Sequence, residues 1–247
     1  MSEIREKALR IFAQAKEMPG YSLSWEKHSL NVAKVAESIT RAVIENGAKL
    51  RFTKVTGEEP GTDGELSDEE MTDMAFSAGL LHDIGRCVEV KVGLRHPILG
   101  YHLLTNEGLV ELAQVSMTHT YYGYKQIERA EFWEELDLKS LEFTQDYMKG
   151  AEISDLDLLV QLADNMGHPM GVMTISDRFS DILIRHGIRS AGDHLRELFR
   201  IKQYFDKKAG INIYELFRDE IIRTTMMEPN GMMREEQNVT DETEESL

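Results

Sequence analysis

Apolar residues recur along this chain at spacings of three and four, and no stretch sustains a two-residue alternation, so the pattern predicts a series of amphipathic helices. Ile4, Ala8, Ile11, Phe12 and Ala15 define a first helix over 3–18 that stops before Pro19-Gly20. Val32, Val35, Ala36, Ile39 and Val43 define a second over 26–46, with His28 four residues before Val32 on the same inward face. Residues 47–66 change character: their glycines, Pro60 and acidic side chains predict an exposed acidic insertion. Ser67 and Glu70 then form a capping-box pattern, and Met71, Met74, Ala75 and Ala78 lead to His82. Within that helix Gly79 allows a close helix approach, and Gly85 marks the stop.

Further on, Val88 to Val92 reads as a turn with extended character. Pro97 reads as a first helical residue, which places His96 in the cap region. Leu112, Val115 and His119 lie on one face of a helix over 108–119, and residues 124–150 read as helical or irregular cover over a cleft. Ser154 with Asp157 resembles another cap, after which Leu156, Leu159, Val160 and Ala163 lead to Asp164. A carboxylate at the inward end of so apolar a helix is costly without a compensating cation or donors. Thr174 and Ser190, each with an Asp three residues on, open two further helices, and a last helix covers about 213–224. The reading is all-α: one domain over 1–227, then a disordered acidic tail over 228–247.

Composition narrows the partners. A net charge of -16 argues against a broad basic surface for a long nucleic acid, although a bound metal still permits a small anionic substrate. The single cysteine, Cys87, excludes an intrachain disulfide and fits a reducing compartment. No segment approaches the roughly 20 apolar residues of a membrane span, and the N-terminal stretch has no apolar run of signal length, so a soluble cytoplasmic protein is expected.

The candidate chemistry lies where apolar stripes end. His28, His82, Asp83, His96, His119 and Asp164 offer four imidazoles and two carboxylates, a donor set suited to iron, manganese, cobalt, nickel, zinc or magnesium rather than to a structural thiolate site. Taken alone, each histidine has a blander reading as a hydrogen-bonded core residue. His102, His168, His186 and His194 are read as structural or exposed; His168, four residues after Asp164, is the one placed to assist.

Leu80-Leu81-His82-Asp83-Ile84-Gly85-Arg86, preceded by His28 and followed by His96, His119 and Asp164, resembles the HD-domain superfamily of metal-dependent phosphohydrolases, HDIG type, in its extended H...HD...H...H...D form. The resemblance spans 28–164 and covers no C-terminal helix. It implies a helical bundle with the metals in its middle, two metals bridged by Asp83, and hydrolysis of a nucleotide or other small phosphate ester by a metal-activated hydroxide. Arg86 would hold a substrate phosphate, with a surface ion pair as its plain alternative; Lys125 and Arg129 are weaker candidates for the same cleft. The GYP motif of the cyclic-di-GMP phosphodiesterases is absent from Thr118 to Tyr124, which disfavours that substrate. Two other classes stay open: an HD-fold di-iron oxygenase, for which Tyr21 and Glu26 lie before the first histidine, and a non-catalytic nucleotide-binding sensor. Substrate choice is expected from 86–95 and 120–150, and a homo-oligomer is left open.

Overall fold

The computed structural model describes residues 1–52, 66–90, 95–120, 136–186 and 191–226. Ten α-helices occur among them: α1 Glu3–Gln14, α2 Leu23–Glu45, α3 Asp68–Leu81, α4 His96–Asn106, α5 Val110–Thr118, α6 Leu138–Gly150, α7 Asp155–Asp164, α8 Ile175–His186, α9 Ala191–Ala209 and α10 Arg218–Thr225. The fold is all-α apart from a two-stranded antiparallel hairpin that the periodicity did not predict, β1 Gly167–His168 and β2 Gly171–Val172. Two residues per strand are too few to show an alternation. The acidic insertion falls largely outside the described residues, as do the tail from 228, Lys125 and Arg129.

The caps explain the helix starts. Ser67 accepts from the Glu70 amide while Glu70 accepts from the Ser67 amide, and Ser154 and Asp157 form the same reciprocal pair at α7. Helix α2 begins at Leu23, earlier than its apolar stripe, because the Ser22 hydroxyl accepts from the Trp25 amide. His96 is the first residue of α4, with Pro97 following it, one position from expectation. Of the stretch Val88 to Val92, residues 88–90 form a turn and bend, and 91–92 lie outside the described residues.

α2 is the central strut, contacting α3, α7, α9 and the hairpin, while α3, α5 and α7 pack on one another around it. Val32, Val35, Ala36, Ile39 and Val43 are completely buried there. Gly79 permits the α2–α3 contact, since a Cβ on it would lie 2.8 Å from Ala33 Cα and 2.9 Å from Val32 O. Gly85 serves packing rather than a left-handed cap: its φ is not positive, and a Cβ would fall 2.0 Å from His96 O. No helix among the described residues is long and apolar enough to cross a membrane.

Candidate metal centre

All six predicted residues come together, and each lies near a helix end. His82 and His119 cap the C-termini of α3 and α5, and Asp164 is the last residue of α7. His96 opens α4, and His28 lies in the second turn of α2. Three helix C-termini therefore converge, and their partial negative charge favours a cation.

Local chemistry aims the rings. His82 Nδ1 lies 2.8 Å from Gly79 O, and His119 Nδ1 lies 2.8 Å from Ser116 O. In both cases a ring at the helix end folds back on the carbonyl three residues earlier, one of those left without an amide partner in the last turn. His28 Nδ1 reaches Gly167 O on β1 at 3.0 Å. A carbonyl can only accept, so Nδ1 carries the proton in each ring and the Nε2 lone pair faces the centre. Such partners fix the tautomer that a metal requires.

The Nε2 atoms and carboxylates form two groups. His28 Nε2 lies 3.2 Å from His82 Nε2 and 3.2 Å from Asp164 Oδ1, and His82 Nε2 is 3.6 Å from that same oxygen. On the other side His96 Nε2 and His119 Nε2 are 3.3 Å apart. Asp83 stands between them. Its Oδ1 is 3.0 Å from His96 Nε2 and 3.3 Å from His119 Nε2, while its Oδ2 is 3.9 Å from the Nε2 of both His28 and His82. Adjacent residues on a continuing helix would diverge by about 100°. Asp83, at φ -106° and ψ 14°, has left the helix, so its carboxylate returns to the place where His82 points.

The electrostatics are those of a cation site. Burial alone would raise the Asp83 and Asp164 carboxyls, yet both lie well below the usual range: Arg86 holds Asp83 down, and His28 and His82 hold Asp164 down. Burial pushes His28 below its ordinary value. At His82 burial acts in the same direction but is outweighed by Asp164 and Asp83, which hold it above its ordinary value. Burial, then Arg86, depresses His96 to about 4 and keeps its ring neutral.

Asp83 Oδ1 is buried and makes no hydrogen bond of acceptable geometry despite its two imidazole neighbours. With Nδ1 turned to Ser116 O, the His119 ring directs Nε2 at this oxygen from 3.3 Å, so both atoms face one point that a cation could occupy. The residues thus fit a divalent metal: His28, His82 and Asp164 have ligand atoms close enough for one ion, as do His82, Asp83 and His119. Cys87 is buried, and burial pushes its thiol up to about 12, far from the thiolate a ligand must be.

A family model described as the HD domain matches residues 25–168, more than half of the chain. The chain belongs to the HD-domain family. The HD domain is a helical fold whose members are usually metal-dependent hydrolases, and membership implies divalent-metal binding. Its matched region opens at Trp25, whose indole donates to Asp83 O at 3.0 Å, and closes at His168. No curated protein and no solved structure matches the chain.

Of the other predicted residues, Arg86 joins the six, and His168, Tyr21 and Glu26 do not. Arg86 reaches inward, with Nε 2.5 Å from Asp83 Oδ2 and Nη2 3.3 Å from His96 Nε2, while 45% of its side chain is exposed. His168 is not on the Asp164 helix, which has ended; it lies in β1, with Nε2 3.9 Å from Asp181 Oδ2. The Tyr21 hydroxyl donates to Glu26, which also pairs with Lys16 at 2.9 Å. Sequence reasoning read the buried Asp157 only as a cap. Besides capping α7 it accepts from Thr118 Oγ1 at 2.7 Å and so ties the His119 turn to the Asp164 helix. Its capping pattern was visible, but its contact with α5 exists only in the folded chain.

Proposed function

We propose that this HD domain is a metal-dependent phosphohydrolase acting on a nucleotide or another small phosphate ester, with two divalent metals held by His28, His82, Asp83, His96, His119 and Asp164. The observation that carries the reading is the position of Asp83, one oxygen toward His96 and His119 and the other toward His28 and His82. When bound, the metals supply a water of lowered pKa and charge neutralisation for the oxygens of an in-line displacement.

The chain's own residues do the rest. The carbonyls of Gly79, Ser116 and Gly167 hold three rings in the tautomer that leaves Nε2 open. Completely buried His82 and nearly buried His96 and His119 keep bulk water from the floor of the site. Asp164, with 16% of its side chain exposed, and Arg86 mark the open side, from which substrate approaches. There the forked donors of Arg86 hold a substrate phosphate.

The test is metal content per chain followed by phosphate release from a panel of nucleotides and p-nitrophenyl phosphate. Two metals and turnover on at least one ester are expected. Oxygen consumption without phosphate release would replace this reading with the oxygenase, and nucleotide binding without turnover across several added metals would replace it with the sensor.

A further inference from the structure

The family match ends at His168, but the structure that orients His28 does not. His28, Asn31 and Lys34 fall at three-residue intervals on one side of α2, and each is tied to the hairpin or to α10. His28 Nδ1 donates to Gly167 O at 3.0 Å, Asn31 Nδ2 donates to His168 O at 2.6 Å, and Lys34 Nζ pairs with Glu220 of α10. The hairpin lies directly on the helix: a Cβ on Gly167 would stand 2.6 Å from Val32 Cγ2.

The outer edge of the hairpin is closed by α10. The Val172 amide donates to Glu220 Oε1 at 3.1 Å, and Thr224 Oγ1 donates to Val172 O at 2.7 Å. Two side chains of one helix thus satisfy both backbone groups that a neighbouring strand would have taken. Gly171, at φ +139°, is part of the same seat, since a Cβ there would meet Thr224 Cγ2 at 2.9 Å and Glu220 Oε1 at 3.1 Å. Val172 pairs with Gly167 across the hairpin, and Gly167 carries the carbonyl that holds His28.

We infer that Glu220 and Thr224 are positioning residues of the metal centre, acting through Val172 and Gly167 to fix the His28 ring. The inference rests on the reading of His28 as a ligand. Loss of a partner that orients a metal-ligating histidine typically costs about 10- to 100-fold in affinity. Glu220, one link further back, belongs at the lower end of that range.

Two readouts on the full chain test it. In the metal-free protein the His28 Nδ1–H resonance should be visible and slowly exchanging by NMR, should broaden in Glu220→Ala and in Thr224→Val, and should return in Glu220→Gln, which keeps an acceptor for the Val172 amide. In a titration with Mn(II) alone, followed by the EPR signal of the free ion, Glu220→Ala should bind about 10-fold more weakly than the wild type. Asn46→Ala controls for general loosening, because it removes a bond to Lys208 O about 27 Å along α2 from His28 and should change neither readout. An unchanged His28 resonance in Glu220→Ala overturns the inference whether or not metal binds. A wild-type chain that takes up neither Mn(II) nor any other added divalent metal overturns the phosphohydrolase reading, while the resonance still decides the positioning claim.

Discussion

Gly79→Ala probes how tightly α2 and α3 must approach for their histidines to meet. The added Cβ would lie 2.8 Å from Ala33 Cα and 2.9 Å from Val32 O, and both are backbone atoms that no rotamer change can move. Relief to an ordinary contact near 3.6 Å requires the helices to separate by about 0.8 Å. Overpacking of this kind costs about 1–3 kcal/mol, which in a chain of this size lowers Tm by about 2–12 °C. His82 is three residues from Gly79, about 4.5 Å along the axis, so most of the displacement reaches its ring. The His28–His82 Nε2 separation of 3.2 Å would widen by a large fraction of an ångström, whereas metal–ligand distances tolerate only about 0.2 Å. The expected outcome is a lower Tm by calorimetry together with Mn(II) affinity reduced about 10- to 100-fold. Gly150→Ala is the control, because a Cβ there meets nothing within 4 Å and φ is not positive. A Gly79→Ala protein with wild-type Tm and wild-type metal affinity would refute the claim that this contact sets the ligand geometry.

Three other perturbations separate the site from its supports. Asp83→Ala should lower phosphate-ester turnover well beyond 10-fold; a loss of no more than about 10-fold would falsify the bridging role. Thr118→Val leaves a buried Asp157 oxygen without its donor and should cost about 1–3 kcal/mol, read as a lower urea midpoint at unchanged m-value; an unchanged midpoint would show that the Thr118–Asp157 bond is not needed. Asp73 accepts from the Ser2 amide at 2.6 Å and pairs with Arg5 at 2.9 Å; burial opposes its charge, but these partners hold its carboxyl below the ordinary value. A depressed folded pKa means stability present above the unfolded value and lost as pH falls through the folded one. Asp73→Asn should therefore lose about 1–3 kcal/mol at pH 7, and its deficit should shrink below about pH 4. A deficit constant down to pH 2 would show that the charge is not what matters.

His82, His119 and Asp164 were legible because each closes an apolar helical stripe, and His28 because it lies on the inward face of one; Asp83 and His96 were legible from their places beside His82 and before Pro97. Ser67–Glu70 and Ser154–Asp157 were legible for a different reason: their partners lie three residues apart, so the bond is local. What was missed depends on contacts between distant segments. Gly85 has a glycine's look of a helix stop, yet its cause is the close passage of the His96 carbonyl, eleven residues on. His168 sits at a helical interval from Asp164, but α7 ends there and the chain enters a hairpin whose strands are too short to leave a periodic trace. Asp157 carries an ordinary cap pattern that conceals its second bond to α5.

Arg86 shows how the two readings of a residue can be parts of one. As a surface ion pair it would contribute little, since nearly half of its side chain faces solvent. Yet its partner is the carboxylate at the middle of the site, and its guanidinium also reaches the neutral His96. In the metal-free chain Arg86 therefore supplies part of the positive charge that Asp83 requires once it is buried. On the proposed reading a bound divalent metal would supply that positive charge, and the half-exposed Arg86 side chain would then turn to substrate at small cost. Arg86→Lys keeps the charge but not the fork, so it should raise KM for the phosphate ester more than it lowers kcat, with metal affinity close to wild type. If metal affinity fell as far as turnover did, Arg86 would be a support of Asp83 and not a contact for substrate.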